Sequence, residues 1–439
     1  MSTHAPVKNE SAAADAHTTP TADAAERRYD VAVIGGGPAG ATAAHELARR
    51  GLSVFLLDRP GRIKPCGGAV PPRLIRDFGV PDELIVARAK SARIVAPSER
   101  VVDMPIDGGY VGMVDRDVFD EWLRDRAALA GAERRNGRFD RLEYVDGDGE
   151  VTEIKGVGKR GNERTGGSGA RSGARIHFTA AGSNSAETIF AHTVVAADGA
   201  NSRIAKQCVP GSEKGVFVAA YHEIVEAPTD PDFDPARCDI HYRGDLSPDF
   251  YSWVFPHGKV ISIGTGTAIK GFPIRRSIDA LRKLTGLTGR TIRREGAPIP
   301  LKPLPRWEDG RCVVLAGDAA GVVAPASGEG IYYAMVGGQF AAEAAAEHVA
   351  TGNARVLRKA RKQFMKAHGR VFWVLGIMQK FWYSSDKRRE RFVSMCDDPD
   401  VQQLTWDAYM NKELVRAKPV AHVKIFFKDL GHLFGLVKA

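Results

Sequence analysis

The chain has 439 residues, of which 44% are hydrophobic and 26% charged, and a formal net charge of +9. This is the composition of a globular protein of two or three domains, and it excludes collagen-like and disulfide-scaffold classes. The five cysteines, Cys66, Cys208, Cys238, Cys312 and Cys396, form no C-x-x-C pair, a pattern that fits a reducing compartment and offers no thiolate metal site, so no metal is expected.

Residues 1–28 are rich in Ala, Thr, Ser and His without periodicity, and predict a disordered tail rather than a secretory signal. Tyr29 to Ile34 is an apolar β run, Ala39 to Arg50 has helical spacing and ends at Gly51, and Ser53 to Leu57 is a second β run. The chain thus opens with a βαβ unit. A Gly, Ser and Arg-rich stretch at 158–185 breaks the apolar pattern except at Ile176 to Phe178 and reads as an exposed hairpin with a flexible tip. From Val216 to Ile269, β runs alternate with Pro, Asp and Gly turns, which predicts an antiparallel sheet. After Ala334 the chain turns predominantly helical, and residues 418–438 mix Ile425, Phe426, Phe427, Leu430, Leu433 and Phe434 with Lys424, Lys428 and His432, the pattern of a basic amphipathic helix on an anionic surface. No stretch reaches the roughly 18 continuous apolar residues of a spanning helix.

Chemistry concentrates at YDVAVIGGGPAG, where Gly35, Gly37 and Gly40 fill G-x-G-x-x-G between a β run and a helix. The first glycine allows the tight turn, the second lets backbone approach a pyrophosphate, and the third lets helix pack on strand. Pro38, Ala39 and Gly40 then open the helix whose free N–H groups face the phosphates. Asp58, followed by Arg59, closes the second β run where an acid accepts from ribose hydroxyls, favouring a 2′-hydroxyl cofactor, FAD or NAD. Two later segments separate these. VVAADGANSRIAK ends a β run at Asp198, and RCVVLAGDAAGVVAPASGEGIYYAM ends one at Gly317-Asp318 before Gly328 and Gly330.

The second of these resembles the ribityl-binding strand end of the glutathione-reductase-like FAD fold in its aromatic-hydroxylase branch. The resemblance implies that Asp318 bonds a ribityl hydroxyl, that the amides around Gly328 and Gly330 face the flavin pyrimidine, and that Arg116 lies near the FAD ribose or pyrophosphate. Gly264-x-Gly266 lacks a third glycine and lies in a β run, so NADPH has no Rossmann domain of its own and is expected to dock transiently. The expected class is α/β: an FAD-binding Rossmann domain (29–215 and 306–350), an inserted antiparallel-sheet substrate domain (216–305) and a helical C-terminal region (351–439).

Lys64-Pro65-Cys66-Gly67-Gly68-Ala69 and Tyr251-x-Trp253-x-Phe255-Pro256 resemble the KPCGG and Y-x-W-x-F-P motifs of the geranylgeranyl reductase family, and the whole from residue 29 onward is most similar to its bacteriochlorophyll branch. That resemblance implies NADPH-driven, FAD-dependent saturation of the geranylgeranyl chain of bacteriochlorophyll by successive alkene reductions. It places Cys66, Gly67 and Gly68 near the flavin ring, with Cys66 as a candidate proton donor. Tyr251, Trp253 and Phe255 alternate along a β run and so share one face, a candidate wall for the prenyl chain. The expected partner is a prenylated substrate; peripheral membrane contact of a cytoplasmic protein is expected, nucleic acid is not. Chemistry alone leaves another prenyl lipid open as substrate, and an FAD monooxygenase more remotely.

Overall fold

The computed structural model describes residues 26–61, 63–153 and 172–412. The βαβ opening forms as the spacing predicts: strand Arg27–Ile34, helix Pro38–Ala48 and strand Val54–Asp58. These strands lie inside a parallel sheet whose order is Val313–Leu315, Ala186–Ala196, Arg27–Ile34, Val54–Asp58, Glu133–Val145. Val31 to Ile34 and Val54 to Leu57 are buried without alternation, as a sheet covered on both faces requires. Helix Pro38–Ala48 packs on the sheet with Arg116–Leu129 and Ile331–Thr351 beside it, and the ring of Phe178 lies 5.4 Å from that of Phe55. The first and last of these helices cross closely because Gly338 has no side chain, where a β-carbon would come within 2.3 Å of the Ala39 carbonyl oxygen.

Two boundaries differ from expectation. The first strand already begins at Arg27, and Glu26 pairs with Arg175, so the predicted tail ends before residue 26; the rest of it lies outside the described residues. The predicted flexible stretch at 158–185 is also ordered in its second half. Gly173–Ala180 is a strand bonded antiparallel to both Glu133–Val145 and Ala186–Ala196. Its Ala174, Ile176, Phe178 and Ala180 all point inward, a period of two that the surrounding glycines and arginines obscure.

A second sheet has the order Thr291–Pro300, Phe217–Glu226, Val260–Thr267, Ser252–His257, Arg237–His241, Ser91–Val95, Val101–Pro105. All its pairings are antiparallel except Arg237–His241 with Ser91–Val95. The hairpin at 91–105 belongs to this sheet and not to the nucleotide-binding layer in which the sequence reading placed it. Local alternation reveals a strand but not which sheet it joins. Helices Arg358–Trp382, Asp386–Met395 and Pro399–Asn411 close over the second sheet. Between them lies a cluster rich in aromatic rings: Tyr242, Phe250, Tyr251, Trp253, Trp382 and Tyr383. Among the described residues no helix is long and apolar enough to cross a membrane.

Candidate active site

A cleft of about 350 Å³ opens at the carboxyl end of the parallel sheet, lined by Gly35, Gly37, Pro38, Ala39, Asp58, Arg59, Asp198 and Asp318 among others. That is where open α/β sheets take ligands. Steric limits fix two of the glycines: a β-carbon on Gly35 would stand 2.3 Å from the Ala197 carbonyl oxygen, and one on Gly40 only 1.8 Å from that of Gly35. Gly37 differs, with nothing within 4 Å, so its backbone opens onto the cleft. Helix Pro38–Ala48 starts there with no side-chain cap and no acid in its first turn. Its leading N–H groups are therefore left for an anion. An uncapped helix start, an acid ending the neighbouring strand and a second acid, Asp318, on the same cleft suit the pyrophosphate and hydroxyl groups of FAD.

Three charged contacts sharpen the cleft. Arg124, which the glycine motif gives no reason to expect, donates to Asp58 Oδ2 (3.1 Å) and to the Gly36 carbonyl (3.2 Å). It reaches the cleft from helix Arg116–Leu129, where Asp120 also lines it. Arg116 is buried, forks onto Asp120 at 2.8 and 2.7 Å, and lies beside Cys66. Burial works against its charge, but the Asp120 carboxylate and the Cys66 sulfur outweigh that and raise its pKa. Lys64 forms an ion pair with Asp318. Asp198 lines the cleft, but its carboxylate also takes Ser202 Oγ (2.5 Å) and the Arg203 N–H (2.7 Å), holding the start of helix Arg203–Cys208.

From Lys64 the loop continues through Cys66 to Gly67 and Gly68, out of the cleft and onto the aromatic strand. The Gly68 N–H approaches Cys66 Sγ at 3.4 Å. A β-carbon on Gly67 would meet Phe255 at 3.0 Å, so the missing side chain is what lets loop and ring touch. His257, two positions on and on the same face, donates through Nε2 to the Gly67 carbonyl (3.0 Å), and its Nδ1 lies 3.1 Å from Asp115 Oδ1. The rings of Tyr251, Trp253 and Phe255 follow one another at 6.0 and 6.2 Å. Tyr251, one residue before the strand, donates its hydroxyl to the Ser327 carbonyl at 2.5 Å. Burial raises its pKa and keeps it neutral. Gly328, at φ +64°, comes against Phe250 and Tyr251, so the loop carrying Gly328 and Gly330 borders the aromatic row rather than the cleft. Trp253 Nε1 donates to Ser262 Oγ (3.2 Å), which lies 3.0 Å from His222 Nδ1, and His222 Nε2 is 3.0 Å from Glu295 Oε2. These polar partners are scattered over distant strands, and no local motif announces them.

Among the described residues no cluster suited to a metal ion is present, and the predicted amphipathic segment at 418–438 lies outside them.

Residues 29–234 match the Pyridine nucleotide-disulphide oxidoreductase family. Over 93% of its length the chain is 52% identical to the geranylgeranyl diphosphate reductase of Rhodobacter capsulatus, of which it covers 98%. It is 36% identical to the chloroplastic geranylgeranyl diphosphate reductase of Oryza sativa, over 93% of this chain and 86% of that one. The digeranylgeranylglycerophospholipid reductase of Methanosphaerula palustris is 29% identical over 91% of this chain and 96% of its own. Among solved structures, a geranylgeranyl bacteriochlorophyll reductase-like protein of Thermoplasma acidophilum superposes with a TM-score of 0.73 at 22% identity, covering 90% of this chain and 99% of that one. The flavin-dependent brominase Bmp2 does so at 0.66 and 16%, over 92% and 99%. At those identities the two structures speak for the fold.

Proposed function

The chain belongs to the geranylgeranyl reductase family and binds FAD, and on that premise we propose that it uses NADPH to saturate the geranylgeranyl side chain of bacteriochlorophyll to phytyl by successive alkene reductions. One observation carries this reading: a single loop, Lys64 to Gly68, reaches Asp318 at the cleft with one end and Phe255 of the aromatic row with the other. On this reading one short loop sets the redox centre beside the apolar wall.

When bound, FAD supplies the hydride, taken beforehand from NADPH. Gly35, Gly37, Pro38, Ala39 and Gly40 would hold its pyrophosphate, Asp58 and Arg59 its adenosine end, and Asp318 with Gly317 its ribityl hydroxyls. Asp198 supports the wall of the cleft, and Gly328 and Gly330 shape the loop that borders the aromatic row. Tyr251, Trp253 and Phe255 present ring faces that grip a polyprenyl chain without directional bonds, so that successive double bonds can slide past one reacting position. The same π faces stabilise positive charge developing at an isolated alkene carbon. Cys66 delivers the proton, held in place by the Gly68 N–H and by Arg116, while His257 fixes Gly67. The enzyme meets its lipophilic substrate at a membrane surface.

The test is anaerobic incubation of the FAD-loaded protein with NADPH and geranylgeranylated bacteriochlorophyll in detergent, following the pigment tail by chromatography and mass. Stepwise gains of H₂ are expected. Reduced flavin with an unchanged pigment would move the substrate to a prenyl diphosphate or a prenylated lipid, the reading that the names of the Rhodobacter and Methanosphaerula relatives favour.

A further inference from the structure

The 25-residue helix Arg358–Trp382 contains no acidic residue. Its outermost positions are Lys362, Lys366, Arg370, Trp373, Ile377 and Lys380, all exposed. Their spacings of three and four place them on one stripe of an α-helix. Trp373 is 69% exposed and Ile377 48%, both among the large apolar side chains left in solvent. None of the four cations on the stripe makes an ion pair among the described residues. An isolated exposed Leu means little, but a tryptophan and an isoleucine one turn apart, bracketed by uncompensated positive charge, form the pattern of an interfacial helix.

The inward face of the same helix points to the aromatic row. Phe364 and Phe372 are buried in the main core, and Leu375, Met378 and Phe381 pack on the cluster that contains Tyr251 and Trp253. Gly376 passes over Pro325 at the start of the Gly328 loop. One helix diameter, about 10 Å, therefore separates Trp373 and Ile377 from the candidate prenyl wall.

We propose that the stripe Lys362–Lys366–Arg370–Trp373–Ile377–Lys380 is the surface that docks on an anionic lipid bilayer, with Trp373 and Ile377 entering the headgroup boundary and the cations facing lipid phosphates. This rests on the prenyl-reductase reading only for its purpose, delivering the chain from bilayer to wall around the inner edge of this helix. Charge selects the occupant. A second copy in twofold contact would oppose the same cations to one another. Residues 413–439 carry more Lys and Arg than Asp and Glu, so their net charge is of the same sign as the stripe's and does not complement it.

The experiment is co-sedimentation of the full-length, FAD-loaded protein with phosphatidylcholine vesicles with and without phosphatidylglycerol. Binding to the anionic vesicles is expected to be salt-sensitive, and to fall at least tenfold in Trp373→Ala/Ile377→Ser and in Lys362→Glu/Lys366→Glu/Arg370→Glu. Both variants should keep their flavin and turn over detergent-dispersed substrate at the unaltered rate. Unchanged vesicle binding in the variants overturns the proposal, as does failure of the unaltered protein to bind anionic vesicles. A self-associated protein that the variants render monomeric, or a truncation at residue 412 that first uncovers the stripe, would also overturn it. If vesicle binding behaves as expected while no prenyl substrate is reduced in detergent, the reductase reading fails and the docking surface stands.

Discussion

Gly264 stands directly opposite Trp253 across the antiparallel pair, and a β-carbon placed on it would lie 2.1 Å from the indole Cζ2. The glycine is thus the floor on which the indole lies flat, and Gly266 serves Phe250 in the same way at 2.9 Å. Gly264→Ala must push the indole off the sheet and away from Ser262. A stability loss of about 1–3 kcal/mol is expected in chemical denaturation. Prenyl reduction should fall while NADPH still reduces the flavin at the normal rate. Unimpaired prenyl turnover in a folded Gly264→Ala protein would remove Trp253 from the wall.

Cys66→Ala separates the two half-reactions from the other side. The thiol lies on the loop between cleft and wall, so its loss should slow prenyl reduction by at least tenfold and leave NADPH-dependent flavin reduction unchanged in stopped-flow absorbance. Equal losses in both steps would mean that Cys66 only shapes the loop.

The glycines of the cleft should not behave alike. Gly37 faces open space, so Gly37→Val intrudes on the ligand and not on the protein: apoprotein stability should hold while FAD affinity falls at least tenfold in a flavin titration. Gly40→Ala instead drives a methyl into the Gly35 carbonyl and should lower the stability of the apoprotein itself. Similar melting temperatures for the two apoproteins would contradict the assignment.

Acid should loosen the fold earlier than carboxylate chemistry alone would. His241 is buried with no hydrogen-bond partner on either ring nitrogen, and burial pushes its pKa down from 6.5 to about 4. Burial does the same to His348, also to about 4, where the ring meets Thr193 Oγ1 at 2.7 Å. Between pH 6.5 and about 4 the unfolded chain binds these protons and the folded one does not. Stability therefore rises with pH across that window and is lost as pH falls, by up to about 3 kcal/mol per histidine. His241→Phe should flatten the slope of denaturant midpoints between pH 6.5 and 4; an unaltered slope would show the ring to be solvated.

Lys412 is buried, 3.0 Å from Glu329 Oε2 and 3.8 Å above the Tyr409 ring. Glu329 also takes the Tyr332 N–H at 2.9 Å, so the pair ties the last described helix to the loop beside the aromatic row. Lys412→Met strands a buried carboxylate and is expected to cost about 3–5 kcal/mol, most of it recovered by the double change Lys412→Met/Glu329→Gln. Additive losses in a double-mutant cycle would contradict the coupling.

The cleft was legible in the sequence because its chemistry is local: Gly35 to Gly40 and Asp58 sit on consecutive elements whose spacing the backbone dictates. The aromatic row was legible in part, since Trp253 and Phe255 share a face by the period of two. The loop Lys64 to Gly68 stood out as a motif, but what holds it against the row did not. His257 meets Gly67 across 190 positions, and the partners of Trp253 come from three strands whose order no local pattern encodes. Arg116, which the family resemblance sets near the FAD ribose or pyrophosphate, forks onto Asp120 one turn on, while Arg124, two turns on and outside the glycine motif, reaches Asp58 at the cleft. The hairpin at 91–105 was readable as strands and unreadable as to sheet.

The course of the backbone between the two sheets has a consequence for synthesis. Strands at 27–58, 133–196 and 313–315 belong to one layer, and those at 91–105 and 217–300 to the other, so the ribosome switches layer three times before either is finished. Neither layer can be excised and expressed by itself, because no single cut separates the strands of one layer from those of the other. Until Val313–Leu315 emerges to close the edge beside Ala186–Ala196, the nascent chain carries an incomplete parallel sheet with an open apolar border. Assembly of the parallel layer is therefore a late event governed by distant pairings, and slowing synthesis early in the message should help it little.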